Sequence, residues 1–214
     1  MNESPAKTFY DRISHAYDLI ADGGEHVARE RGLALLNVRP GESVLEVGYG
    51  TGHSLVTLAK LVGADGHVTG IDISTGMRDV AAKRVAEAKL DLRVDLKIGN
   101  VPPFPAELGQ FDVVTMSFTL ELFALDLIPE VLAECRRVLC KKGRLGVVSM
   151  ATALHGDKVS VLERSYIWMH THFPHIVDCQ PIPLESLLVA SGFKITQLER
   201  IELFTMPVAI AVAD

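Results

Sequence analysis

The segment Val44-Leu45-Glu46-Val47-Gly48-Tyr49-Gly50-Thr51-Gly52 constrains this chain more than any other, because it joins a buried-strand pattern to a turn of alternating glycines. Val44, Leu45 and Val47, bracketed by Pro40-Gly41 and the glycines, read as a strand covered on both faces, as in a parallel sheet. Helical spacing resumes from His53 to Val62. Glycines at alternate positions permit positive φ and let bare backbone come close to a ligand. The N-terminus of the next helix then faces the turn, and its free N–H groups favour a carboxylate or phosphate.

Further strand-and-helix units follow in order. His67 to Ile73 reads as a second strand carrying Asp72, about twenty residues beyond Gly52, where a ribose-binding acid is expected. Ser74 is the better N-cap for the next helix, whose stripe is Met77, Val80, Ala81, Val85 and Ala88, and this leaves Asp72 free for a ligand. Val94 to Gly99-Asn100 is a third strand, and Phe111 to Ser117 a fourth that runs into a loop holding Phe118 and Glu121. Ile128 to Leu139 shows a helical stripe, which Lys141-Lys142-Gly143 is expected to end by placing cations on its carbonyl end and a glycine at the stop. Gly143 to Met150 is then a fifth strand. A helix from Leu184 to Ala190, stopped by Gly192, precedes strands at Lys194 to Leu203 and Pro207 to Ala213. Periodicity therefore predicts a doubly wound α/β sheet with mixed strands at one edge.

Dinucleotide-binding folds favour G-x-G-x-x-G, whereas this chain has G-x-G-x-G with Glu46 two residues ahead. With Asp72, Asn100 and the strand ending at Ser117 in the same order, the stretch from Tyr10 to about Met150 resembles the class I S-adenosylmethionine-dependent methyltransferases. Leu132 to Gly146 is similar to the matching helix, basic turn and strand of ubiquinone and menaquinone C-methyltransferases. The resemblance implies one domain built on a seven-stranded, mostly parallel sheet in the order 3-2-1-4-5-7-6, closed by a C-terminal antiparallel hairpin. It implies capping helices over residues 1–38 and a core over 39–214, with a variable acceptor-side insertion at about 151–182. The implied cofactor is S-adenosyl-L-methionine, leaving as S-adenosyl-L-homocysteine. Glu46, Gly48, Gly50 and Gly52 would enclose its methionine portion, Asp72 its ribose and Asn100 its adenine, with Met116 and Ser117 near the amino group. Ile73, Met77 and Val101 are further contacts, and Tyr17, with Tyr10, belongs to a lid-like segment. The family more often has Asp at position 100, so Asn100 is a departure; a loop-forming Asn before a proline run is the alternative. Packing of an amphipathic helix is the alternative for Tyr17.

A net charge of −6 and a pI near 5.7 supply no basic footprint for nucleic acid, so a small-molecule acceptor is expected. No uncharged run reaches the eighteen or so residues of a membrane span, and Met1-Asn2-Glu3-Ser4-Pro5 is no signal peptide, which points to the cytoplasm. Cys135, Cys140 and Cys179 have neither metal-site nor disulfide spacing, and Cys135 sits on an apolar stripe. His170, His172 and His175 do not share a helical face, so no metal is expected. Glu121, His155 and His170 are the candidates for a base, with Glu121 as a solvated loop carboxylate the alternative. The expected activity is methyl transfer by in-line displacement to a small, apolar or aromatic acceptor of quinone-precursor type. The alternatives are a non-catalytic module that binds the cofactor or its demethylated product, and a nicotinamide-dependent dehydrogenase. Oligomeric state stays open, with a homodimer among the arrangements allowed.

Overall fold

A computed structural model of the chain describes residues 25–152, 180–203 and 206–214. The described elements are α1 (Glu25–Leu36), β1 (Ser43–Val47), α2 (His53–Leu61), β2 (His67–Asp72), α3 (Thr75–Glu87), β3 (Val94–Ile98), β4 (Phe111–Ser117), α4 (Ile128–Val138), β5 (Leu139–Met150), α5 (Leu184–Ala190), β6 (Ile195–Leu203) and β7 (Met206–Ala213). The seven strands form one sheet in the order β3-β2-β1-β4-β5-β7-β6. Pairing is parallel from β3 through β5 and antiparallel where β7 meets β5 and β6. This is the order that the resemblance implied.

The alternation of side chains along each strand sorts the core into two faces. Leu45, Val114, Leu145 and Ala211 pack with Leu132 and Cys135 of α4 and Leu188 of α5. Their neighbours Val44, Val113 and Val212 pack with Leu36 of α1, Leu58 of α2 and Val85 of α3. Among the described residues, α1, α2 and α3 thus cover one face and α4 and α5 the other, which is why β1 carries the adjacent apolar residues Val44 and Leu45, one on each face, instead of alternating apolar with exposed polar positions. Cys135 lies within the core, as its stripe predicted, and burial pushes its thiol up to about 12.

The junction between α4 and β5 corrects the sequence reading. The helix ends at Val138, not Leu139, and β5 starts at Leu139, not Gly143. Leu139 pairs with Phe111, and the register then shifts so that Arg144 pairs with Val113. Lys141, Lys142 and Gly143 lie in that irregular stretch of strand, and the cations in the last turn of the helix are Arg136 and Arg137. Gly143 is there for close approach: a Cβ would stand 3.0 Å from the Phe111 carbonyl oxygen and 3.1 Å from that of Asp112. Ala151 and Ile182, placed in the insertion by the sequence reading, form a parallel bridge and are fully buried in the core. Beside the tip of β5, Ile182 N–H donates to the Met150 carbonyl and Thr152 N–H to the Ile182 carbonyl, each at 3.1 Å, while Gln180 N–H donates to the Glu121 carbonyl at 3.3 Å.

Arg144 fastens α1 to the sheet. Its Nε donates to the Leu36 carbonyl at 2.7 Å and its Nη2 to the Asn37 carbonyl at 2.8 Å, taking up acceptors that a helix C-terminus leaves unpaired. The same guanidinium forms a two-pronged pair with Glu42, at 2.9 and 2.8 Å. Burial works to raise the Glu42 pKa, but Arg144 and the Arg39 N–H outweigh it and hold the carboxyl below its usual range. Arg144→Met should leave the two carbonyls and the carboxylate without these donors and lower unfolding stability by about 1.5–3 kcal/mol. Urea denaturation checks this, and an unchanged midpoint would show that α1 is held by apolar packing alone.

Candidate functional site

The strand order reverses between β1 and β4, and a cleft opens there, at the carboxyl ends of the parallel strands. In open α/β sheets this is where ligands bind. The turn after β1 is held from beneath: Gly48 N–H donates to the Ile71 carbonyl at 2.8 Å, and Gly52 N–H to the Tyr49 carbonyl at 2.9 Å. Gly48, Gly50 and Gly52 have φ of 71°, 51° and 84°. They serve different ends. A Cβ on Gly48 would stand 2.4 Å from the Thr119 side chain, and one on Gly52 would stand 2.9 Å from Ala81, so these two glycines let elements pack. A Cβ on Gly50 would meet nothing within 4 Å, so the bare edge of the turn at Gly50 borders open space.

Asp72, at the tip of β2, is engaged where the sequence reading left it free. Its Oδ2 accepts from Gly50 N–H and its Oδ1 from Ser74 N–H, each at 2.9 Å. Ser74 is the N-cap of α3 as expected, accepting from Met77 N–H at 3.1 Å. The Asp72 carboxylate therefore holds the glycine turn to the start of α3.

Of the residues singled out for cofactor contact, Glu46, Gly48, Gly50, Asp72, Ile73, Met77, Asn100, Val101 and Ser117 line the cleft together. Gly52 and Met116 do not. Gly52 is taken up in packing α2 against α3, and Met116, next along β4 from Ser117, is fully buried in the core with Val114 and Val147. Tyr17 and Tyr10, and the histidines at 155, 170, 172 and 175, lie outside the described residues. Glu121 is buried, not a solvated loop carboxylate, and it does not line the cleft. Its Oε1 accepts from Met150 N–H at 3.0 Å, which ties the turn after β4 to the end of β5.

Sequence reasoning missed Glu25 and Arg29 on α1, which line the cleft, and Leu122 and Phe123 beyond β4; Phe118, at the end of the fourth-strand segment that the sequence reading placed beside the site, lines it too. Glu25 and Arg29 are four residues apart, the spacing of an ordinary surface ion pair, so their pattern carried no signal of a site. Phe118 adopts φ 51°, uncommon for a side chain of that size, and its N–H donates to the Val148 carbonyl at 2.8 Å. Among the described residues, no three of His, Cys, Asp and Glu come together as metal ligands, and no helix is long and apolar enough to cross a membrane.

Carboxyl groups cluster on this side of the sheet. Burial pushes Glu46 up to about 8, with the Asp72 charge adding to the rise while a hydrogen bond from Ser54 and the Arg29 charge oppose it. Burial raises Glu121 to about 7 against the pull of the Met150 N–H, and raises Glu25 to about 6 against the nearby Arg29. A carboxyl whose folded pKa lies above its unfolded value near 4.5 stabilises the fold fully below that value, and the contribution is lost as pH rises through the folded value. Stability of the ligand-free protein should therefore decline between about pH 5 and 8. Glu46→Gln, which keeps the shape and a hydrogen-bonding group, should flatten that decline. Thermal midpoints across this range check it, and equal slopes for the two proteins would place the titration elsewhere.

Comparison with known proteins agrees with this geometry. Residues 44–143 match the family model described as a methyltransferase domain. The chain is 34% identical over 146 residues to a demethylmenaquinone methyltransferase of Symbiobacterium thermophilum, covering 66% of this chain and 57% of that protein. It is 44% identical over 142 residues to nocamycin O-methyltransferase of Saccharothrix syringae, covering 64% and 48%. The matched region thus spans about half the length of these curated relatives. A solved structure of a SAM-dependent methyltransferase from Aquifex aeolicus superposes with a TM-score of 0.64 at 19% identity, covering 99% of both chains, and shows the same fold. The domain match over residues 44–143, the strand order and the glycine turn with its acidic and amide strand tips agree, and over this region the chain is similar to methyltransferases.

Proposed function

We propose that this chain binds S-adenosyl-L-methionine in the cleft beside Gly50 and transfers its methyl group to a small, apolar or aromatic acceptor resembling a quinone precursor. The observation that carries the reading is the open edge at Gly50, flanked in one cleft by the carboxylate of Asp72 and the amide of Asn100. A molecule with a ribose, an adenine and an amino-acid end finds hydroxyl acceptors, an amide and charged groups there in the order of the strands. The names of the relatives, one a menaquinone-precursor methyltransferase and one an O-methyltransferase, support methyl transfer to a ring-bearing small molecule. The apolar lining from Val101, Phe118, Leu122 and Phe123 supports an apolar acceptor.

The bound cofactor would supply a methyl group on a sulfonium centre, which loses its charge as the methyl departs. What the protein adds is alignment and exclusion of water. In this reading Asp72 orients the ribose through oxygens already fixed by two backbone N–H groups, so little ordering is left for the moment of binding. Gly48, Gly50 and Glu46 hold the methionine end, Ile73, Met77 and Val101 flank the nucleoside, Asn100 faces the adenine, and Ser117 borders the methyl donor. Glu121 does not line the cleft and its Oε1 accepts from Met150 N–H, so this reading gives it no part in proton transfer.

Asp72→Ala and Gly50→Val should each weaken S-adenosylhomocysteine binding more than tenfold while circular dichroism stays native. The first frees the turn from its anchor, and the second puts a β-branched side chain at a φ of 51° into the space the ligand needs. Unchanged affinity by calorimetry in both variants would overturn the site. With isotope-labelled cofactor, mass spectrometry of an acceptor panel should show transfer to phenolic or quinol rings. Tight cofactor binding with no transfer to phenol, quinol, amine or thiol would instead identify a binding module.

A further inference from the structure

The loop that brings Asn100 to the cleft cannot be held by strand pairing. In Asn100-Val101-Pro102-Pro103-Phe104-Pro105 the prolines supply no N–H, so Phe104 carries the one backbone donor between Val101 and Ala106. Both backbone polar groups of Phe104 go to helix α4. Its N–H donates to Glu134 Oε2 at 2.7 Å, and its carbonyl accepts from Arg137 Nη2 at 3.4 Å. Glu134 and Arg137 stand three residues apart on α4, and the guanidinium grips the carboxylate with two prongs, at 2.8 and 2.9 Å. Arg137 and the Phe104 N–H together hold the Glu134 carboxyl below its usual range, against the opposing effect of burial. The Phe104 ring, 3% exposed, sits in the core with Ile71, Leu108 and Leu132.

The loop is fixed at its other end as well, where Gly99 N–H donates to the Asp72 carbonyl at 2.9 Å. Asn100 and Val101, which line the cleft, are thus suspended between the tip of β2 and a two-point grip from α4. Neither Glu134 nor Arg137 lines the cleft. An ion pair between neighbouring turns of a helix contributes little to stability in itself, whereas one that takes both backbone groups of a residue flanked by prolines fixes where a loop stands. We propose that Glu134 and Arg137 are positioning residues for the adenine: by gripping Phe104 they set the place at which Asn100 meets the base. The assignment rests on the cofactor reading above, in which Asn100 faces the adenine, and deepens it. A loop ordered before the ligand arrives does not have to be ordered on binding, so the grip is expressed as affinity and not as a contact of its own.

The test is a double-mutant cycle in the full chain, read by calorimetry of S-adenosylhomocysteine binding. Glu134→Ala should weaken binding about fivefold, and Glu134→Gln, which keeps an acceptor for the Phe104 N–H, should recover most of the loss. Independent effects would add, but once the Asn100 side chain is removed the grip has nothing left to position. In an Asn100→Ala background, Glu134→Ala should therefore weaken binding by less than about twofold more. Native circular dichroism in each variant shows that the fold is kept. If Glu134→Ala unfolds the protein, Arg137→Met takes its place in the cycle; it leaves the Phe104 N–H bonded to Glu134 and should weaken binding about threefold, with the same dependence on Asn100. Wild-type affinity in the chosen variant, or an equal loss with and without the Asn100 side chain, overturns the positioning role and leaves the cofactor reading standing. Wild-type affinity in Asn100→Ala alone overturns it too, since the loop would then have no hold on the base. A wild type that does not bind S-adenosylhomocysteine overturns the cofactor reading and the positioning role together.

Discussion

The hydrogen bonds from the Gly50 and Ser74 N–H groups to the Asp72 carboxylate join the ends of two neighbouring strands, and the site is built around them. β1 is buried on both faces and paired on both edges, so the chain can leave it only at its carboxyl tip. There it must turn sharply into α2, and three alternating glycines at positive φ make the turn possible. Without an anchor such a turn would be a mobile loop. Asp72 gives it one, and the same carboxylate fixes where α3 begins.

Electrostatics in the cleft follow from that architecture. Strand tips converging on one opening bring Glu46, Asp72 and the start of α1 close together, and low solvent access raises the cost of each extra charge. The result is a group of carboxyls shifted upward, with Arg29 as the cation beside them. Glu121 shares the burial but not the exposure to ligand, since its bond to Met150 N–H commits it to joining two elements.

Much of the fold was legible in the sequence. The apolar run before the glycines, the capping Ser74 and the stripe at Ile128, Val131, Leu132 and Cys135 are local patterns, and burial follows from them whatever the details of packing. The boundary between α4 and β5 was not legible. Lys141-Lys142-Gly143 carries every local sign of a helix stop, but the register shift opposite Phe111 extends the strand back to Leu139, and that shift depends on a partner strand nearly thirty residues away. The split of the glycines was equally hidden. All three look alike in sequence, yet Gly48 and Gly52 are needed by Thr119 and Ala81, while only Gly50 leaves its edge open.

By itself, then, the sequence determined the order of strands and helices, the glycine turn and the acidic and amide tips at Asp72 and Asn100, because these depend on residue type and near-neighbour spacing. Tertiary structure alone decided that Asp72 anchors the turn, that Met116 faces the core, that Glu121 is closed off, and that Arg29 and Glu46 share a wall. Each of these depends on which side chains from distant segments meet at one sheet edge. Arg29 and Glu46, seventeen residues apart on α1 and β1, carry no local mark of meeting, and only the packing of α1 against the sheet brings the arginine to the cleft that the buried carboxyl lines.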